Sequence, residues 1–245
     1  MRLPGIVAIE GIDASGKATQ AKMLADYLDA LVSVSSPHLT GFPAIGAPLT
    51  LRRSFPAYDT PIGALIASKL KGEWVPVVTE RVGQFDLDPK TDALVLQSLM
   101  VANKFELADE IERANVVEGR NVVLDRYVVS AYAYGQADGL PLEFLERLHA
   151  RLPKAHHVLI DIPVEESFAR RPKRDDKYEA NRGRLAAARV NYLAYFESKG
   201  VDTPFWSNVK TPRFRTSPSG YAIVDGIGFA DQVHDRVKAA LGLLS

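Results

Sequence analysis

Four short, nearly continuous apolar runs punctuate the chain: Ile6-Val7-Ala8-Ile9, Asn121-Val122-Val123-Leu124-Asp125, His157-Val158-Leu159-Ile160-Asp161-Ile162 and Tyr221-Ala222-Ile223-Val224-Asp225. Runs of this length without polar alternation suit strands buried on both faces. Thr50 to Phe55, ending at Pro56, is a fifth strand candidate. Between these runs the period lengthens. Met23, Leu24, Tyr27, Leu28 and Leu31 recur at helical spacing, and Ile62 to Leu70 and Ala93 to Arg113 read as further helices. The alternation predicts a three-layer α/β fold, a mainly parallel five-stranded sheet flanked by helices.

Other stretches carry no period. Residues 32–48 are rich in Ser, Pro and Gly, 73–92 mix charges, and 206–220 read as an exposed segment, so all three are expected to be surface insertions. At 245 residues with 47% hydrophobic content, the chain is expected to form a single domain, 1–245. Thirty basic and thirty acidic residues cancel, which argues against a nucleic-acid footprint or a polybasic membrane surface. The absence of cysteine excludes disulfides, thiolate metal sites and cysteine nucleophiles. No apolar stretch reaches the roughly 18 residues of a membrane span. The expectation is a soluble, cytoplasmic protein.

The first strand and first helix are joined by Gly11-Ile12-Asp13-Ala14-Ser15-Gly16-Lys17-Ala18-Thr19-Gln20. Its G-x-x-x-x-G-K spacing fits the P-loop. Glycines let backbone N–H groups turn toward phosphate oxygens, the helix N-terminus adds positive partial charge, and Lys17 can reach the outer phosphates. The expected ATP-binding set is Gly11, Ala14, Ser15, Gly16, Lys17, Ala18 and Thr19. A hydroxyl residue usually follows the lysine and holds Mg²⁺, but Ala18 stands there. Mg²⁺ is then expected to rely on water, substrate phosphates or an acid elsewhere. Asp125, at a strand C-terminus, lies where ligands meet such sheets. The charged run from Arg170 to Lys177 is either a solvated connection or a mobile basic lid, about 170–178. With a P-loop upstream, the lid is the reading adopted.

Several pieces together resemble the thymidylate kinases, P-loop enzymes that move the γ-phosphate of ATP onto dTMP. They are Ile9-Glu10-Gly11 through Gln20, Phe55-Pro56-Ala57-Tyr58-Asp59-Thr60-Pro61-Ile62-Gly63, Ala102-Asn103-Lys104-Phe105-Glu106, Asp125-Arg126-Tyr127 with Ser130 and Ala133-Tyr134, and the basic segment leading to Tyr178-Glu179. The resemblance implies catalytic roles for Asp13, Lys17, Asp125, Arg126, Arg171 and Arg174, with Arg170 as an alternative to the lid arginines. It implies acceptor contacts from Phe55, Tyr58, Met100, Asn103, Lys104, Arg126, Ser130, Tyr134 and Tyr178. Asp125 would meet Mg²⁺ mostly through water and phosphates. A homodimer packed through helices, including the one from Ala93, is also implied.

The departures concentrate on the acceptor side. After Phe55-Pro56 the family often supplies an arginine for the monophosphate, whereas this chain has Ala57-Tyr58. The expected base-stacking aromatic is Met100, and the expected arginine is Lys104; four apart, they share a helix face. Methionine is a softer platform than an aromatic ring, and lysine gives a single donor group instead of a fork. The function the resemblance implies is in-line phosphoryl transfer from ATP to dTMP, with a kinase for another or modified deoxynucleoside monophosphate, or a non-catalytic nucleotide-binding protein, as the alternatives.

Overall fold

The computed structural model describes residues 5–35, 49–73, 87–171, 181–202 and 213–244. Its strands are β1 (Ile6–Glu10), β2 (Thr50–Ser54), β3 (Asn121–Asp125), β4 (His156–Asp161), β5 (Phe214–Thr216) and β6 (Tyr221–Asp225). They form one six-stranded sheet in the order β2-β3-β1-β4-β6-β5. Every pairing is parallel except β5 against β6. β1 is buried along its whole length, which is why Ile6 to Ile9 are apolar without alternation.

Helices cover both faces. On one side α1 (Lys17–Ser35) and α9 (Ala230–Ala240) bring Leu24, Leu28, Val233 and Val237 onto Val7, Ile9, Val123 and Val158. On the other, α5 (Val128–Ala137) packs against α8 (Arg182–Ser198) through Val129, Tyr132, Leu185 and Tyr192. Beside them Leu107, between α3 (Pro89–Glu106) and α4 (Ala108–Glu112), and Ile111 of α4 join a third cluster on Ile6, Ala8 and Phe55. Fully burying one such leucine or isoleucine contributes about 1.5–3 kcal/mol. The remaining helices are α2 (Pro61–Lys71), α6 (Leu142–His149), α7 (Val164–Arg170) and a π-helical stretch, Arg113–Val117, that continues α4.

The expected three-layer architecture is present, with one strand more than expected. β5 lies within the segment taken as an exposed insertion. It pairs because Ser217 to Gly220 reverses the chain, with Ser217 N–H donating to Tyr221 O at 2.8 Å and Gly220 at φ 83°. The helix expected at Ala93 begins earlier, because the Asp88 side chain caps the N–H groups of Lys90 and Thr91 at 3.1 Å and Pro89 starts the first turn. It also ends sooner, at Glu106, where Leu107 separates α3 from α4. α1 runs to Ser35, into the start of the first expected insertion. Among the described residues no helix is long and apolar enough to cross a membrane.

Candidate active site

The chain leaves β1 into a loop whose shape is set by a few backbone angles. Gly11 has φ 149°, and a Cβ there would stand 2.6 Å from Ser15 Oγ and 2.7 Å from Ile160 O, so no side chain fits. Ser15 N–H closes the turn on Ile12 O at 3.2 Å, and Gln20 N–H starts α1 on Gly16 O at 3.0 Å. No acidic residue occupies the first turn of α1, so the positive end of that helix is left for an anion. Lys17 is buried at the same place, donating to Ile12 O at 2.9 Å. Its ammonium lies 3.9 Å from Asp13 Oδ1.

Arg170, at the end of α7, straps the loop from outside. Its guanidinium donates to Ser15 O at 3.3 Å, Gly226 O at 2.9 Å and Glu166 Oε1 at 2.7 Å. Ser167, earlier on α7, bonds Asp13 O. Arg171 follows, exposed, with its N–H on Ser167 O at 3.3 Å. Arg174 and Tyr178 lie outside the described residues.

Asp13 joins this loop to the acceptor side. One oxygen, Oδ1, takes a short charge-assisted bond from Arg126, and the other accepts from Tyr134 Oη at 2.9 Å. Arg126 sits at φ 64°, a sparsely populated region for a residue with a Cβ. Its N–H on Ile9 O at 2.9 Å and its side chain on Gly11 O at 3.3 Å hold it there. Burial alone would lower the Arg126 pKa, but Asp13, then Tyr134 and Tyr192, raise it well above the ordinary value. It is a permanent cation. Burial and the Asp13 charge push the Tyr134 phenol up, so it stays a donor. Arg184, from the first turn of α8, reaches the same place: Asp138 holds it through bonds of 2.5 and 2.7 Å. Arg126 and Arg184 lie over the Tyr134 ring at 5.4 and 4.9 Å.

These groups line a cavity of about 130 Å³, whose other walls include Phe55, Tyr58, Met100, Lys104 and Ser130. Behind it, Glu10 is fully buried. It accepts from Ser130, and His157 Nδ1 lies 3.2 Å away. Burial raises the Glu10 carboxyl, but the His157 contact and charge, Ser130 and Arg126 together hold it below the ordinary value. Ser130 also meets Tyr192 Oη at 2.7 Å, so its position is fixed from two directions.

The α3 wall carries two buried amides with different uses. Asn103 takes the Ala57 N–H at 2.8 Å and donates to Thr60 Oγ1 at 2.8 Å and Glu106 Oε2 at 3.0 Å. It braces the turn after β2 and is not among the residues lining the cavity. Gln97, by contrast, lines the cavity. Lys104, 3% exposed, donates to Met100 O at 3.1 Å and lies 5.8 Å from the Phe55 ring centre. Burial, opposed by Glu10 and assisted by Arg126, brings its pKa down to about 8.

For Mg²⁺ the donor set is thin but of the right kind. Among the described residues no three metal-ligating side chains cluster, and Ala18 offers only a methyl group. The Asp125 carboxylate nevertheless stands at the end of β3 with a buried Oδ1 lacking a hydrogen-bond partner among the described residues. One carboxylate oxygen beside phosphates and water fits a hard cation that keeps much of its hydration.

Arg184, Gln97 and Glu10 were not evident in the sequence as site residues. Arg184 follows the basic run so closely that it reads as more of the same charge, and Gln97 is one polar residue on a helix with no clean apolar stripe. Glu10 had a signal, a lone acid ending an otherwise apolar run.

A family model described as thymidylate kinase matches residues 49–200. A probable thymidylate kinase of Pyrococcus abyssi is 28% identical over 198 residues, which cover 78% of this chain and 82% of that relative. One of Thermococcus kodakarensis is 31% identical over 197 residues, covering 78% and 83%. Among solved structures, thymidylate kinase from Candida albicans is similar with a TM-score of 0.65 at 24% identity, covering 98% of this chain and 92% of that one. At that identity the likeness shows the fold.

Proposed function

The chain belongs to the thymidylate kinase family, and from that premise we propose that it transfers the γ-phosphoryl group of ATP to dTMP, giving ADP and dTDP. The observation that carries this reading is the meeting of two cations on one oxygen. Lys17, from the ATP loop, is 3.9 Å from Asp13 Oδ1, and Arg126, from the cavity, bonds the same atom. Donor and acceptor phosphates drawn to those cations are brought face to face.

The chain's own residues then act by positioning and charge. The loop amides and Lys17 hold the donor phosphates, while Arg126 and Arg184 offer two guanidinium groups to the acceptor monophosphate. Arg184 supplies, from α8, a charge that the Ala57-Tyr58 segment lacks. Phe55 and Met100 present apolar surface to the base, and Tyr134 holds Asp13 in register. The acceptor phosphate oxygen attacks in line, ADP leaves, and charge on the transferring oxygens is met by fixed cations. Asp125 would hold Mg²⁺, mostly through water, and the ion would supply positive charge against the donor phosphates. Arg171 and Arg174 belong to this proposal as lid residues. So does a homodimer, for which exposed Leu94 and Phe105 on α3 offer apolar surface, and a cytoplasmic setting.

The test is ADP release with MgATP against dTMP, dUMP, modified dUMPs, dCMP, dGMP and dAMP. Preference for dTMP is the expected outcome. Preference for another acceptor would replace the substrate, and ATP binding without transfer to any of them would overturn the kinase reading.

A further inference from the structure

Of the described residues lining the acceptor cavity, Gln97 is the one with a buried side-chain polar atom, Oε1, that has no hydrogen-bond partner. The residue is 2% exposed. Proteins rarely leave a buried amide oxygen unsatisfied, because it has given up water without replacement. The neighbouring amide of Asn103 shows the ordinary solution, with both ends bonded within the protein. Gln97 instead shares a helix face with Met100 and Lys104, three and seven residues further on. All three line the cavity.

That face offers an acceptor from Gln97, a polarizable apolar surface from Met100 and a cationic donor from Lys104. A pyrimidine with an N–H beside a ring carbonyl is complementary to this set. Cytosine presents the reverse order, an unprotonated ring nitrogen beside an amino group. An amide can turn over to suit either, but an ammonium only donates, so Lys104 fixes the sense in which the edge is read. Resting on the dTMP kinase reading above, we propose that Gln97 determines base specificity by accepting the thymine N3–H, while Lys104 donates to the adjacent C4 carbonyl, which cytosine replaces with an amino group. Gln97 Oε1 thus finds in the substrate the partner that it lacks among the described residues. Sites built around a substrate N–H reject analogues lacking it.

The experiment compares dTMP with its N3-methyl derivative, which keeps the carbonyls and the phosphate but has no N–H to give. Wild-type enzyme is expected to favour dTMP by tenfold or more in kcat/KM, mostly through the acceptor KM. Gln97→Leu should raise the dTMP KM about tenfold, leave the ATP KM unchanged and bring the two acceptors within a few-fold of one another. Equal use of both acceptors by the wild-type enzyme overturns the proposal without any variant. A Gln97→Leu enzyme that folds, by its thermal transition, and keeps the wild-type preference also overturns it, leaving the kinase reading intact. If the wild-type enzyme phosphorylates no pyrimidine nucleotide, both readings fall.

Discussion

Around Gly11 to Lys17 the proposed phosphate site is a main-chain loop fixed by backbone angles, whereas the proposed acceptor cavity is lined by long side chains positioned by other side chains. The loop takes its shape from glycine geometry and a helix N-terminus, and α7 secures it at main-chain oxygens, through Ser167 on Asp13 O and Arg170 on Ser15 O. The acceptor wall depends on distant partners: Arg184 on Asp138, Ser130 on Glu10 and Tyr192, and the Ala57 turn on Asn103. A main-chain site of this kind tolerates substitution nearby, while a side-chain site can be retuned one residue at a time. The substitutions at Tyr58, Met100 and Lys104 fall on the retunable side.

The sharpest test of this contrast is Lys17→Ala, which removes the one side chain the loop requires. Turnover should fall by about 10²- to 10³-fold with the thermal transition nearly unchanged; retained activity would refute the assignment. Next, Arg184→Met should raise the acceptor KM about tenfold, with the ATP KM unmoved. A parallel change in both constants would mean that Arg184 shapes the fold and does not grip the acceptor. Asn103→Ala should act on stability instead, costing about 1–3 kcal/mol because the buried Ala57 N–H loses its acceptor. Denaturant unfolding measures this, and an acceptor KM effect without destabilisation would return Asn103 to the substrate.

The smallest effect concerns pH. Lys104 titrates near 8 in the folded chain against an ordinary value of 10.5, so between those values the unfolded chain binds more protons. Stability should therefore rise with pH across that window, and Lys104→Met should remove that part of the slope. In the same enzyme the acceptor KM should lose its rise above about pH 8. A KM profile that is identical in the variant would remove Lys104 from base recognition.

β1, β3, β4 and β6 were legible because burial on both faces leaves few polar positions to blur the run. The P-loop was legible because its chemistry is local, with glycines and lysine at fixed spacing. β5 was not, since three residues between Pro- and Ser-rich segments give no period and its pairing depends on the β6 edge. Met100 and Lys104 could be found through the family pattern, but Asn103 could not be separated from them. Whether an amide turns toward the cavity or toward Thr60 is decided by a turn some forty residues earlier in the chain. Arg184 had the same difficulty, because Asp138, 46 residues away, aims it.

Asp13 gives the two halves a common ledger. Since Lys17 and Arg126 both face its Oδ1, a phosphate that draws away one cation changes the field felt by the other. On the proposed assignment of the two sites, binding of ATP and of the acceptor is thermodynamically linked. By reciprocity, the factor by which the acceptor alters ATP affinity equals the factor by which ATP alters acceptor affinity. A single carboxylate thereby makes the occupancy of each substrate site part of the energetics of the other.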